Sequence, residues 1–152
     1  MTWLAETAPG ASSLDQVYGL TPGVYEQFRE LERGVWASPA LDPTMLEVAR
    51  LRIAKLVGCR PELERRSPEA VAAGLTEEKI ASLAQWPSSP LYNARERLIL
   101  AFTESYVIDA HSVTDELCER LNEQFSPAEL SALTIAIAVF DAMARFRTAL
   151  DA

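Results

Sequence analysis

Apolar residues recur every three or four positions along most of this chain, which is the spacing that places them on one face of an α-helix. The first clear run follows Pro22 and has its apolar side chains at Val24, Phe28, Leu31 and Val35. No segment has the sustained alternation of apolar and polar residues that is typical of a half-buried β-strand. The pattern therefore predicts an all-α fold.

Capping residues and helix breakers divide this pattern into about six to seven helices. Ser, Thr, Asp or Asn precedes most of the predicted starts, often with proline next, and glycine or proline ends several of the helices. We expect helices over residues 22–36, 43–57, 67–73, 76–86, 93–107 and 114–124, and a last helix that begins after Ser126. Residues 1–16 are predicted to be a loosely packed arm, and residues 17–152 are predicted to form a single domain.

A proline at position 68 complicates the segment that follows the second predicted helix. Proline inside a helix removes a hydrogen bond and costs about 3 kcal/mol. Ser67 and Pro68 instead form a good pair of N-cap and first-turn residues. We therefore expect a new helix to start at Ser67, which leaves Cys59–Arg66 as a short and distorted turn.

Two stretches are apolar on nearly every side. In residues 43–57 the apolar positions almost encircle the predicted helix, so few of its side chains should face solvent. The longest apolar run, Leu133–Ala144, is interrupted by Thr134 and Asp141. This run is too short to cross a bilayer and is typical of a buried helix, so we expect no membrane partner.

Composition and charge narrow the classes of protein to which the chain can belong. Its 152 residues amount to one ordinary domain, and a hydrophobic fraction of 49% supports a packed core. The net charge of -8 makes nucleic acid and anionic membranes poor partners. Two distant cysteines and no visible signal peptide favour a reducing, cytoplasmic location. The single histidine, His111, offers no metal site.

The first candidate for a catalytic residue lies on the second predicted helix. Glu47 is a carboxylate on an otherwise apolar helix, a setting that tends to raise the pKa and would suit a proton donor. Alternatively, Glu47 is paired with a nearby cation such as Arg50 or Arg66. The charged cluster at residues 62–66 is expected to be a solvated helix face or an ion-pair patch between subunits.

Cys59 follows a glycine at the predicted end of that helix. A thiol near a helix N-terminus and beside Arg60 could be stabilised as a thiolate, although Glu62 would oppose this. The alternative is that Cys59 is a small, partly buried residue that fills a turn. Cys118 lies among charged residues on a later helix and is expected to serve packing, and a Cys59–Cys118 pair is left open.

The order of Glu47, Cys59, Glu62 and Arg66 resembles the active-site motif of the alkylhydroperoxidase D (AhpD) / carboxymuconolactone decarboxylase superfamily. In that family a helix with a glutamate leads through a turn into Cys-x-x-Cys-x-x-x-His. Glu47 and Cys59 match the glutamate and the first cysteine. Glu62 and Arg66 stand at the positions of the second cysteine and the histidine. The resemblance covers about residues 20–150 and implies an AhpD-like helical fold; we expect no cofactor and no metal.

The resemblance also implies a chemistry that two of these residues cannot perform. In peroxidase members the second cysteine attacks the hydroperoxide, the first resolves the sulfenic acid as a disulfide, and glutamate and histidine relay protons. Glu62 cannot reduce a peroxide, and Arg66 cannot donate a proton because it stays protonated at physiological pH. The two-cysteine cycle is therefore expected to be weak or lost, with Cys59 and Glu47 as the remaining candidates for catalysis.

Three functions stay open at this point. The chain could be a peroxidase-like protein kept for binding or assembly, or a one-cysteine thiol oxidoreductase that uses Cys59 with Glu47. It could also be a carboxymuconolactone decarboxylase-like lyase or isomerase that binds a small carboxylate at Arg66. The expected ligand is accordingly a small hydroperoxide or a small carboxylate. The resemblance and the apolar helices also imply a homo-oligomer, whether dimer, trimer or hexamer.

Overall fold

The computed structural model describes residues 2–152, and every regular element within them is helical. Along these residues the α-helices are α1 (Ser13–Tyr18), α2 (Pro22–Ala37), α3 (Pro43–Val57), α4 (Arg60–Glu64), α5 (Pro68–Ala72), α6 (Glu77–Ala81), α7 (Ala94–Ile108), α8 (Asp115–Gln124) and α9 (Pro127–Leu150). Two 3-10 turns cover Ser82–Gln85 and Ala110–Ser112. The prediction of an all-α fold is confirmed.

The predicted helix starts are confirmed, because the capping side chains make the expected hydrogen bonds. The Asp42 carboxylate accepts a hydrogen bond from the Thr44 backbone N–H at 2.7 Å. Asn93 and Ser126 each form a capping box with the glutamate three residues later. Each cap satisfies a backbone N–H that has no partner inside its own helix.

Three short segments differ from the prediction. Helix α1 begins inside the predicted arm, where Ser12 and Asp15 form a capping box, and it extends two residues beyond the predicted end of the arm. The segment after Cys59 is the regular helix α4 rather than a distorted turn, and the predicted new start at Ser67 then opens α5. Residues 76–86 form α6 followed by a 3-10 turn. Elements of one or two turns have too few apolar positions for their periodicity to reveal them.

Helix α3 lies at the centre of the core. It packs against α9 on one side and against α7 on another, and 8 of its 15 residues are buried. The side chains that α9 contributes to this core are at most 4% exposed, and they include Leu133, Ala136, Ile137 and Phe140. The position of α3 between two helices explains why its sequence is apolar on nearly every side.

Helix α9 extends well beyond the apolar run seen in the sequence. By length and composition it is the one helix within residues 2–152 that could cross a membrane, with a mean hydropathy of 1.5 over an 18-residue window. The core helix of a globular domain passes the same test, and α9 packs along α3 and α2. The run that we judged too short to cross a bilayer is therefore part of a longer helix.

Gly58 turns the chain from α3 into the segment that carries Cys59. Its φ of 76° lies in the left-handed region, which costs a residue with a Cβ about 1–2 kcal/mol. The Gly58 N–H ends the helix by donating to the carbonyl of Ala54. A Cβ added at Gly58 would meet nothing within 4 Å. Glycine is therefore required here by the backbone angle and not by crowding.

We expect Gly58→Ala to lower the free energy of unfolding by about 1 kcal/mol, because only the backbone conformation opposes the added methyl group. Gly34→Ala is the matched control, since Gly34 lies inside α2 with equally open surroundings. Alanine at that helical position should raise the free energy of unfolding by up to about 1 kcal/mol. Urea denaturation measures both effects, and a change of the same sign at both positions would contradict the role given to Gly58.

Candidate functional site

Arg50 is a buried arginine whose guanidinium N–H groups all have acceptors. It lies on α3 one turn after Glu47, and the two side chains are 2% and 0% exposed. Nε and Nη2 donate to the two carboxylate oxygens of Glu47, each at 2.8 Å. Nη1 donates to the carboxylate and the carbonyl of Glu62, both at 2.7 Å. Nη2 also donates to the Arg65 carbonyl at 2.9 Å. These bonds replace the water that the charge has lost.

Glu62, on α4, connects this buried pair to two further helices. Its Oε2 accepts from Arg50 and also from Arg65 at 3.0 Å, while Oε1 accepts from Arg147 of α9 at 2.8 Å. Arg65 in turn reaches Glu32 of α2 at 3.3 Å. We call these residues the ion-pair cluster: Glu32, Glu47, Arg50, Glu62, Arg65 and Arg147. Its carboxylates and guanidinium groups are equal in number, so the formal charges balance.

The groups of the ion-pair cluster stabilise one another's charged forms. Burial by itself raises the pKa of Glu62, but the charges of Arg65 and Arg50 and the hydrogen bond from Arg147 outweigh it, so the pKa falls below its ordinary 4.5. Burial likewise acts to lower the pKa of Arg50, but the hydrogen bond and charge of Glu47, together with Glu62, raise it. Glu62 and Arg50 are therefore both charged at neutral pH.

Glu47 is held by Arg50 and not by Arg66. Besides its two bonds from Arg50, the Glu47 carboxylate accepts the Ser67 backbone N–H at 3.0 Å, which fixes the start of α5. Arg66 binds the exposed Glu77 through Nε and Nη2 at 2.8 and 3.0 Å. The prediction of a Glu47–Arg66 pair is therefore wrong, whereas the alternative Glu47–Arg50 pair is present. Arg50 is favoured because residues three apart on a helix lie on the same face.

The prediction of a solvated face at residues 62–66 is wrong for its first member. Glu62 is 3% exposed, because α4 packs directly on α3. Arg65 and Arg66 turn toward the surface, where they pair with Glu32 and Glu77. The stretch therefore lies in two environments: Glu62 is buried and Leu63 packs against the core, whereas the later charged residues face the surface.

Cys59 is the N-cap residue of α4 and is 1% exposed. Its N–H donates to the carbonyl of Ala54 at 2.8 Å, which fixes the residue against the end of α3. Cys59 lines a cavity of about 360 Å³ whose wall also includes Arg60 and Arg147. Both cysteines are free in the part of the chain that the structure describes, and Cys118 is half-buried on α8. The open question of a Cys59–Cys118 disulfide is thereby answered: none is present.

Some of the residues in the ion-pair cluster could be predicted from the sequence and others could not. The pair of Glu47 and Arg50 could be predicted from their spacing, because two opposite charges on one face of an apolar helix stabilise each other. The pair of Glu62 and Arg147 could not be predicted, because the two residues are 85 positions apart along the chain. Only the packing of α9 against α3 brings its guanidinium to the ion-pair cluster.

A larger surface cavity lies away from these residues. It has a volume of about 760 Å³ and lies between α2 and α9, and none of the motif residues lines it. Its wall includes Leu31 and Ile135, each 48% exposed.

The single histidine, His111, is exposed in a 3-10 turn. Nowhere in residues 2–152 do three or more His, Cys, Asp or Glu side chains group in a way that could hold a metal ion.

Comparison with known proteins identifies the class to which this fold and this motif belong. The model of the carboxymuconolactone decarboxylase family matches residues 22–105, a span that runs from the start of α2 into α7. That span includes all the motif positions discussed above. The chain is a member of the carboxymuconolactone decarboxylase family, as the resemblance of its motif indicated.

Two bacterial relatives are similar in sequence, and both are named as uncharacterized proteins. YnjA of Escherichia coli is 31% identical over 111 residues, which are 73% of this chain and 61% of that protein. YdfG of Bacillus subtilis is 24% identical over 79% of this chain and 82% of that protein. The match therefore spans less than two thirds of the length of YnjA.

Solved structures share the fold at lower sequence identity. A protein of unknown function from Agrobacterium tumefaciens, proposed there as the antioxidant defence protein AhpD, superimposes with a TM-score of 0.80 at 24% identity over 89% of this chain and 92% of that one. The debrominase Bmp8, in complex with 2,3,4-tribromopyrrole, gives a TM-score of 0.80 at 19% identity, over 100% of this chain and 92% of that one. These likenesses confirm the AhpD-like helical fold.

We expect Glu62→Gln to lower the free energy of unfolding at neutral pH by about 3 kcal/mol, because it leaves buried guanidinium groups without their counter-charge. The folded-state pKa of Glu62 lies below its ordinary 4.5, so its carboxylate stabilises the fold above that pH and the contribution is lost as the pH falls through the folded-state value. The difference between wild type and Glu62→Gln should therefore shrink on acidification below 4.5.

The control for this prediction is Glu64→Gln, on the exposed side of the same helix. Its effect should stay within about 0.5 kcal/mol at neutral pH. Urea denaturation across acidic and neutral pH measures both variants. A Glu62→Gln effect that is as small as that of Glu64→Gln, or that does not change with pH, would contradict the pairing described.

Proposed function

We propose that this chain is an AhpD-like family member that no longer reduces hydroperoxides by a two-cysteine cycle. The observation that carries the proposal is the state of Glu62, which stands at the position of the attacking cysteine. Its carboxylate accepts hydrogen bonds from Arg50, Arg65 and Arg147. A carboxylate has no sulfur to oxidise, and this one is fully engaged in holding helices together.

The positions that would relay protons are also engaged in other interactions. Glu47 accepts two hydrogen bonds from Arg50 and one from the Ser67 N–H, all inside the core. Arg66 is tied to Glu77 and to the carbonyl of Leu63 at 2.6 Å. Both contacts support a structural role for these two positions, because neither side chain is left free to face a substrate.

A second function, a one-cysteine thiol oxidoreductase, is favoured by one observation. Cys59 lines a cavity of about 360 Å³ together with Arg60 and Arg147, and that volume suits a small molecule. Cationic groups near a thiol favour the thiolate, which is the form that attacks. In this reading Arg60 is the more available cation, because Arg147 is already bound to Glu62.

The one-cysteine reaction balances with a small hydroperoxide and a low-molecular-weight thiol. The Cys59 thiolate attacks one peroxide oxygen; an S–O bond forms, the O–O bond breaks, and the leaving alkoxide takes a proton from water to become an alcohol. Sulfur is thereby oxidised to a sulfenic acid and the peroxide is reduced. One external thiol then condenses with the sulfenic acid, which releases water and forms a mixed disulfide on Cys59. A second external thiol attacks this mixed disulfide, so that Cys59 is released as a thiolate and the two small thiols leave as a disulfide.

The lyase or isomerase alternative gains no support from the geometry. It requires Glu47 and Arg66 at one site, whereas Glu47 is buried and Arg66 pairs with Glu77 toward solvent. The debrominase that shares this fold is a reminder that fold and family do not fix a reaction.

Association of copies into a homo-oligomer is supported by the apolar cavity between α2 and α9, where Leu31 and Ile135 are half exposed.

The test is the fate of the two thiols when reduced protein meets one equivalent of tert-butyl hydroperoxide without added reductant. We expect no disulfide between Cys59 and Cys118 by mass spectrometry, because the partner thiol of the two-cysteine cycle is absent. Trapping of a sulfenic acid on Cys59, abolished in Cys59→Ser and retained in Cys118→Ser, would establish the one-cysteine reaction. An unreactive Cys59 would remove that second function and leave the main proposal standing. An intramolecular disulfide formed at the rate of peroxide loss would contradict the main proposal.

A further inference from the structure

The end of α9 forms part of the wall of the cavity that Cys59 lines. Residues Thr148, Asp151 and Ala152 contribute to the wall of that cavity. Ala152 is 7% exposed and Cys59 is 1% exposed, whereas Thr148 and Asp151 are exposed, so the last residue is the buried part of this segment. After α9 ends, the N–H groups of Asp151 and Ala152 both donate to the carbonyl of Arg147. We call residues 148–152 the strap.

Arg147 holds the strap with the same guanidinium that binds the ion-pair cluster. Its Nε donates to the Ala152 carbonyl at 3.2 Å, and its Nη1 donates to the Glu62 carboxylate at 2.8 Å. The opposite wall of the cavity is fixed differently: Cys59 is bonded to Ala54 at the end of α3, inside the core. Of the two walls, the strap is therefore the one that can move without disturbing the packing of α3.

We propose that the strap is a releasable cover over Cys59, kept closed by Arg147. Opening it breaks the bond from Arg147 to Ala152 and the two backbone bonds to the Arg147 carbonyl. It exposes little apolar surface, because the strap adds only the end of a helix to the core. The bond from Arg147 to Glu62 survives that opening, so the ion-pair cluster does not have to come apart. The thiol is then reached by small reagents through a local movement and not through global unfolding. This inference concerns the thiol of the one-cysteine candidate, but it does not require that thiol to be oxidised by a peroxide.

The experiment measures the rate at which an aromatic disulfide reagent labels Cys59, in a Cys118→Ser background so that one thiol reports. A chain that stops after Leu150 lacks the last two residues of the strap, including the Ala152 carbonyl that Arg147 binds, but keeps the bond between Arg147 and Glu62. Arg147→Met loses both bonds of the guanidinium. Arg145→Met is the matched control, because Arg145 lies on the same helix, is exposed, and pairs with Asp141.

The shortened chain and Arg147→Met should each be labelled about tenfold faster than the parent, the factor expected when one charge-assisted hydrogen bond no longer favours the closed state. Arg145→Met should be labelled at the parental rate. Labelling of the shortened chain at the parental rate would overturn the proposal. So would labelling rates that follow the melting temperatures of all the variants, because Cys59 would then be reached by global unfolding. Neither result bears on the peroxide experiment, so the two proposals can fail separately.

Discussion

The charge on Arg50 has to be balanced inside the core, and much of the local structure follows from how this is done. A guanidinium that is 2% exposed is stable only if fixed acceptors replace its water. Glu47 supplies one charge from the same helix, and Glu62 supplies the other from α4. The carbonyls of Glu62 and Arg65 complete the set, so the path of the chain from residue 62 to residue 65 is held by a single side chain.

The ion-pair cluster then extends this constraint to the rest of the fold. Glu47 also accepts the Ser67 N–H and so positions α5, while Glu62 reaches Arg147 on α9. Buried ion pairs of this kind add little net stability relative to an apolar core, but they are costly to break because the remaining charge is left alone. The cluster is therefore better understood as a device that fixes the arrangement of α3, α4 and α9 than as a source of stability.

This arrangement occupies the place where the family motif puts its reactive thiol. A residue at position 62 cannot both attack a peroxide and accept hydrogen bonds from three guanidinium groups, and in this chain it does the second. Cys59 stays at the first cysteine position, where it is 1% exposed and lines a cavity together with residues of the strap. The chain thus keeps the fold of its family while two positions of the family motif hold different residues.

The sequence predicted the parts of the structure that depend on neighbouring residues. The caps at Asp42, Asn93 and Ser126 and the glycine at position 58 act within a few positions, so their effects were visible in the pattern. The burial of Glu62 could not be predicted, because a run of charged residues is typical of a solvated helix face. Only a partner that is distant in sequence shows that one of these residues is buried. The contact with Arg147 depends on the packing of α9, which no local pattern encodes.

The most direct test of the central claim is a double-mutant cycle between Arg50 and Glu62. The free energies of unfolding of Arg50→Met, Glu62→Gln and the double variant would be measured by urea denaturation at neutral pH. If the two groups stabilise each other in the core, the double variant should be more stable than the sum of the single effects predicts, by about 2 kcal/mol or more. Additivity within about 0.5 kcal/mol would mean that the two charges are not coupled, and it would contradict the account of this site.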